Sequence, residues 1–181
     1  MKNMMIGARL FIALTILTGL FYPLLVTLIG QLFFSQSSNG RLELIGQNFD
    51  QAKYFWSRPS SQGYNPLPSG GSNLSPTSQQ LAQAVAERKQ RLLQADPAKT
   101  EPEIPADLLY ASASGLDPHV SPAAALFQVD RVVKARGFDS AKKDEIIKLI
   151  GKLTEGRALG IFGEPRLNVL KLNAELDHIV K

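Results

Sequence analysis

Apolar residues fill one end of the chain without interruption and recur with helical periodicity over much of the rest. From Leu10 to Phe34 the sequence reads LFIALTILTGLFYPLLVTLIGQLFF, and no charged residue lies between Arg9 and Arg41. A helix over this run is about 38 Å long at roughly 1.5 Å per residue. That length crosses a hydrocarbon layer of about 30 Å with tilt or a kink. Its sixteen Leu, Ile, Phe and Val residues contribute about −5 to −10 kcal/mol to insertion as an upper bound. The apolar region of a cleaved signal peptide is only about 7 to 15 residues and ends in small residues, whereas this one ends in Phe33 and Phe34. The pattern therefore predicts one uncleaved transmembrane helix over 10–34. Pro23 cannot donate to the carbonyl of Gly19, so a kink is expected there. Thr15, Gly19, Pro23 and Thr27 recur every fourth residue, a stripe of small or unusual side chains on which a partner helix could pack closely.

Residues 41–76 are aromatic and rich in Gly, Pro, Ser and Asn. Leu42–Ile45 and Tyr54–Trp56 have the character of short strands, but turns dominate the composition. Their aromatic content predicts an ordered, loop-built surface rather than a flexible linker. A helix is expected next, with Ser75 as cap, Pro76 at its first position, and Leu81, Ala84, Val85 and Leu92 on one face. Glu87 and Arg91 are spaced for an i,i+4 pair on its outer side, and Asp96-Pro97 stops it. Residues 97–105 read as a Pro-rich connector. A second helix is capped by Ser121, buries Leu126, Val129, Val132 and Val133, and ends at Gly137 after Lys134 and Arg136. Ser140 is placed to cap a third helix with Ile146, Ile147 and Ile150 inward. Asn168 opens a fourth, with Val169, Leu172, Leu176 and Ile179 at helical spacing. The expected fold class is α+β, mainly helical, with a single N-terminal membrane helix and one compact domain over 35–181.

Charge orients this arrangement. Lys2 and Arg9 precede the span and Arg41 alone follows it closely, which predicts a cytoplasmic N-terminus over residues 1–9 and an extracytoplasmic domain. Of the formal net charge of +4, Lys2 and Arg9 carry half, so the domain is nearly neutral and lacks the basic face of a nucleic-acid binder. The mean hydropathy of −0.05 averages an apolar span with a polar domain.

Candidate chemistry is sparse. The 181 residues include no cysteine and two histidines, which excludes disulfides, thiolate metal sites and a cysteine nucleophile. No HExxH, GxSxG or P-loop motif is present. His119 follows a turn at Asp117-Pro118, and with Ser112, Ser114 or Ser121 it could make a hydrolase constellation, so a membrane-anchored external hydrolase, or an assembly factor of another membrane complex, is the alternative reading. Ser69-Gly70-Gly71-Ser72-Asn73 reads as a tight turn or as an anion-binding loop. Arg58-Pro59 either displays its guanidinium to a partner or packs it on Phe55 or Trp56.

Several segments taken together resemble the KdpC family, the small subunit of the bacterial potassium-transporting P-type ATPase. They are Tyr22-Pro23 within a single span, Ile45-Gly46-Gln47-Asn48-Phe49, Arg58-Pro59-Ser60, Tyr64-Asn65-Pro66 and Ser69 to Leu74. Ser112 to Pro118, Gln128, Arg131, Ala135-Arg136 and Asn168-Val169-Leu170 continue the series. The resemblance implies a non-catalytic accessory subunit at the bacterial inner membrane, with a potassium-pore subunit and an ATP-hydrolysing subunit as partners. It implies no cofactor of its own, stabilisation of the assembly, and a catalytic-chaperone role that raises ATP affinity, with Ser69, Gly70, Gly71, Ser72 and Asn73 as nucleotide contacts. Thr15, Gly19, Pro23 and Thr27 in the span, and Arg58, Pro59, Tyr64 and Asn65 in the loop surface, are the expected partner interface.

Overall fold

The computed structural model describes residues 2–33 and 44–179, which fall in two units, 1–41 and 42–181. Phe34, the expected end of the span, and the residues up to 43 lie outside the described residues. In the first unit, α1 (Lys2–Ile16) and α2 (Tyr22–Phe33) are joined by a π-helical turn at Leu17–Phe21. Lys2–Leu32 is long and apolar enough to cross a membrane, with a mean hydropathy of 2.2 in its most apolar window. The expected disturbance at Pro23 takes the form of this π turn. Tyr22 donates its N–H to the carbonyl of Leu17, five residues back. A proline lacks the donor for the carbonyl four residues before it and crowds that turn, and one extra residue per turn relieves both problems.

The second unit is mainly helical. Its elements are α3 (Gln79–Ala95), a 3₁₀ turn at Glu101–Glu103, α4 (Ala106–Leu109), β1 (His119–Val120), α5 (Pro122–Arg136), α6 (Ser140–Leu153), β2 (Leu167–Asn168) and α7 (Val169–Ile179). β1 and β2 pair antiparallel, with His119 opposite Asn168 and Val120 opposite Leu167. α5 packs on α6, and α6 packs on α7. The core between them holds Val120, Ala124, Val129, Val132, Ile146, Ile150, Leu167, Val169, Leu172 and Leu176, joined by Phe55 from the loop region.

Helix ends follow local chemistry, with two corrections. Ser121 accepts from Ala124 N–H at 3.0 Å with Pro122 at the first helical position, and Gly137 closes α5 in the left-handed conformation at φ 66°. Asn168 Oδ1 accepts from Leu170 and Lys171 at the start of α7. α3, however, is capped by Ser78 rather than Ser75, because Ser75 to Ser78 closes a separate turn through Ser78 N–H to Ser75 O at 2.9 Å. Asp139, not Ser140, caps α6, accepting from Lys142 N–H at 2.8 Å.

Side-chain facing differs at three expected positions. Leu126 and Ile147 are 45% and 39% exposed; on α5, Gln128 and Arg131 take core positions that a purely apolar stripe would assign to Leu126 and its apolar neighbours. Arg91 does not pair with Glu87; it lies over the Trp56 ring, while Glu87 accepts from Gln83. Tyr54–Trp56 is not a strand, and Leu44 and Ile45 lie in a turn and a bend.

Candidate functional site

The loop region between residues 46 and 74 has its own internal order. Phe55 and Trp56 lie outside helix and strand, and their backbone hydrogen-bonding groups are met by side-chain amides instead of a neighbouring strand. Asn173 Oδ1 accepts from Phe55 N–H at 2.9 Å, and its Nδ2 donates to Phe55 O at 3.0 Å. Gln128 does the same for Trp56, accepting from its N–H at 2.8 Å and donating to its carbonyl at 3.2 Å. Arg131 donates to the carbonyls of Ala52 and Tyr54 and to Gln128 Oε1. Arg136 donates to Lys53 O at 2.8 Å and to Asp177 at 2.7 Å, and Asp177 also accepts from the Tyr54 hydroxyl. Buried amides and guanidinium groups engaged in several hydrogen bonds each are costly to disturb, so this lattice fixes the loop on α5 and α7.

On that base sits a platform of two loops. Gly46 N–H donates to Leu116 O at 2.7 Å, Ser112 N–H to Pro59 O at 3.1 Å, and Gly70 N–H to Ser114 O at 3.0 Å. Ser60 is the hub: its hydroxyl donates to Gly115 O at 2.7 Å and accepts from the N–H groups of Gln62 and Tyr64. Gly63 and Tyr64 are both left-handed, at φ 59° and 62°. The Tyr64 hydroxyl donates to Arg58 O, and burial pushes its pKa upward, so the phenol stays neutral. Asn65 Oδ1 accepts from Leu67 N–H, and Leu67-Pro68 is cis.

The expected site residues distribute as follows. Arg58, Pro59, Tyr64, Ser69, Gly70 and Gly71 belong to this platform, and a Cβ on Gly71 would lie 3.2 Å from Ala113 O. Tyr64, Asn65, Ser69, Ser72 and Asn73 retain exposed or half-exposed surface. Arg58 packs on neither Phe55 nor Trp56. It donates to Tyr110 O at 3.3 Å and faces Asp117 at 3.6 Å, while Arg91 and Arg131 occupy the Trp56 ring. Thr15, Gly19, Pro23 and Thr27 are exposed in the first unit. Asp117 also meets His119 Nδ1 at 3.0 Å. Ser121 donates to Asp107 and caps α5, and among the described residues no serine hydroxyl hydrogen-bonds His119. Gln128, Asn173 and Ser60, which organise the site, carried no local signal of this role: Gln128 meets Trp56 across 72 positions of chain and Asn173 meets Phe55 across 118.

The described residues thus form one apolar helix long enough to cross a membrane and a mainly helical unit bearing a loop-built, hydrogen-bonded platform. Residues 4–178 match the family described as KdpC: K+-transporting ATPase, c chain. A protein of Methylococcus capsulatus, named potassium-transporting ATPase KdpC subunit, is 48% identical over 176 residues, covering 90% of each chain. The protein of that name from Polynucleobacter asymbioticus is 48% identical over 181 residues, covering 93% of this chain and 94% of its own. The one from Herpetosiphon aurantiacus is also 48% identical, covering 93% and 92%. The chain belongs to the KdpC family.

Proposed function

We propose that this chain is a non-catalytic accessory subunit of an ATP-driven, high-affinity potassium uptake complex. Its span over 10–34 anchors it in a bacterial inner membrane, with residues 1–9 cytoplasmic and 35–181 on the outer side. The observation that carries the reading is the match over residues 4–178, span and platform together, to a family described as the c chain of a K+-transporting ATPase. The stripe Thr15, Gly19, Pro23, Thr27 docks on helices of the partners. The platform bearing Arg58, Pro59, Tyr64 and Asn65 clamps the potassium-pore and ATP-hydrolysing subunits from outside. The absence of charge between Arg9 and Arg41 agrees with a span that lines no ion path.

A catalytic-chaperone effect on ATP affinity follows from the same reading, and with the domain outside it acts through the span or the partners' outer loops. Direct nucleotide contact through Ser69 to Asn73 is the competing route. Gly70 N–H already donates to Ser114 O, which favours the structural role. Gly71→Ala distinguishes the two: loss of ATP binding by the purified full chain at physiological concentration supports contact.

Two measurements test the whole. Co-purification in mild detergent should recover stoichiometric pore and ATP-hydrolysing subunits, and recovery of the chain alone overturns the subunit reading. The chain has no native cysteine, so Ser140→Cys, at an exposed position, should react with a membrane-impermeant maleimide in intact spheroplasts. Labelling only after lysis reverses the orientation.

A further inference from the structure

We propose that the cavity beside Trp56 binds a compact oxyanion of the phosphate type, gripped by the guanidinium groups of Arg88 and Arg91. The cavity, of about 260 Å³, lies between α3 and the preceding loop, with Asn48, Trp56, Ser57, Tyr64, Arg88 and Arg91 on its wall. A water takes ~30 Å³ of liquid volume, so a tetrahedral anion and a few waters fill the space. Cavities for drug-sized ligands begin near ~300 Å³.

Charge selects the ligand class. Two arginines and no carboxylate line the cavity. The hydroxyls on its wall are already engaged, Ser57 donating to Gln47 O and Tyr64 to Arg58 O. Arg88 donates Nη1 to Leu109 O at 2.7 Å, and its other donors have no partner among the described residues. Arg91 lies 4.3 Å from the Trp56 ring centroid and has no hydrogen-bond or ion-pair partner among the described residues. A guanidinium fork meets two oxygens of an oxyanion at once, and the ring holds that fork at a fixed position. Arg131, 4.1 Å from the same ring, adds a third cation. Burial first, and then the charge of Arg91, brings its pKa down to about 10, with Asp96 offsetting this in part. Positive charge is thus concentrated around one aromatic ring, offset at Arg131 by Asp96, while the cavity wall that carries Arg88 and Arg91 holds no carboxylate and an anion is its complement.

Trp56 is the sole tryptophan, so occupancy beside it changes the emission of a single fluorophore. Full-length protein in mild detergent is titrated with sodium phosphate, with sodium chloride holding ionic strength constant. A parallel titration uses dihexanoyl phosphatidylglycerol against dihexanoyl phosphatidylcholine, each below its micelle concentration. The expected result is a saturable emission change with phosphate. It weakens at least tenfold in Arg91→Gln, survives in part in Arg91→Lys, and is unaltered in Arg157→Gln, whose guanidinium pairs with Glu164 instead. A response to phosphatidylglycerol alone, with the same dependence on Arg91, assigns the oxyanion to a lipid headgroup. No saturable response to either probe, or one equally strong in Arg91→Gln, overturns the proposal.

Discussion

Replacing Gln128 with alanine removes four hydrogen bonds made by one side chain that is 1% exposed. Its carbonyl accepts from Trp56 N–H at 2.8 Å and Arg131 Nη2 at 2.6 Å, and its amide donates to Trp56 O at 3.2 Å and Ala124 O at 3.1 Å. Ala124 O keeps its helical partner and Arg131 keeps the carbonyls of Ala52 and Tyr54, so the loss concentrates on the Trp56 backbone and one guanidinium N–H. A buried donor left unmatched costs about 1–3 kcal/mol, more when charged. Half-buried Trp56 can recruit water for part of this, and the expected loss of stability is about 2–4 kcal/mol. Gln128→Glu retains the acceptor for Trp56 N–H and Arg131 and forfeits only the two donations, for about 1–2 kcal/mol. The assay is guanidinium unfolding of the full chain in mild detergent, followed by Trp56 emission, which reports from the perturbed junction itself. A loss under about 1 kcal/mol for Gln128→Ala, or equal losses for both variants, refutes the claim that this amide substitutes for a strand.

Three further outcomes are expected from the same unfolding assay. Gly115→Ala places a Cβ 2.8 Å from Gly70 O on a residue at φ +69° and should cost about 2–3 kcal/mol. Ser78→Ala should cost about 1 kcal/mol as a lost cap and Ser75→Ala clearly less, since Ser78 is the residue that accepts from Leu81 N–H. Asp130 meets Lys143 at 2.6 Å and Lys99 at 2.9 Å, and these ammonium groups hold its carboxyl below its usual 3.8. A lowered native pKa stabilises fully above the unfolded value and is lost as pH falls through the native one. The carboxylate is 40% exposed, so Asp130→Asn should cost at most about 1 kcal/mol at neutral pH, and the gap to wild type should close below pH 3.8.

Features encoded within a few residues were legible in the sequence. The span needs only an unbroken apolar run, and Ser121-Pro122, Gly137 and Asn168 carry their capping chemistry in their own side chains or backbone freedom. Ser75 and Ser78 could each cap a helix, and the choice went to the second because the first closes a turn of its own. Tyr54–Trp56 had the composition of a strand, and its backbone does demand strand-like pairing. Its partners are Gln128 and Asn173, polar residues on helices far along the chain, and no local period announces that. For the same reason Gln128 and Arg131 were not expected in the core, and Leu126 and Ile147 were. Of the two readings for Arg58, packing on Phe55 or Trp56 rested on a short-range aromatic argument, whereas the Trp56 ring is taken by arginines from α3 and α5.

The π turn ahead of Pro23 also changes the geometry of the membrane helix as a docking rail. On a regular α-helix each residue advances by about 100°, so a stripe repeating every fourth residue drifts by about 40° per step. From Thr15 to Thr27 the drift would reach about 120°, carrying Gly19, Pro23 and Thr27 progressively away from a single neighbour. A π turn absorbs one additional residue, which turns the later half of the helix back by about 100°. Thr15 and Thr27 then lie within about 20° of each other, and a four-residue repeat that would wind around a uniform helix becomes a straight seam along this one.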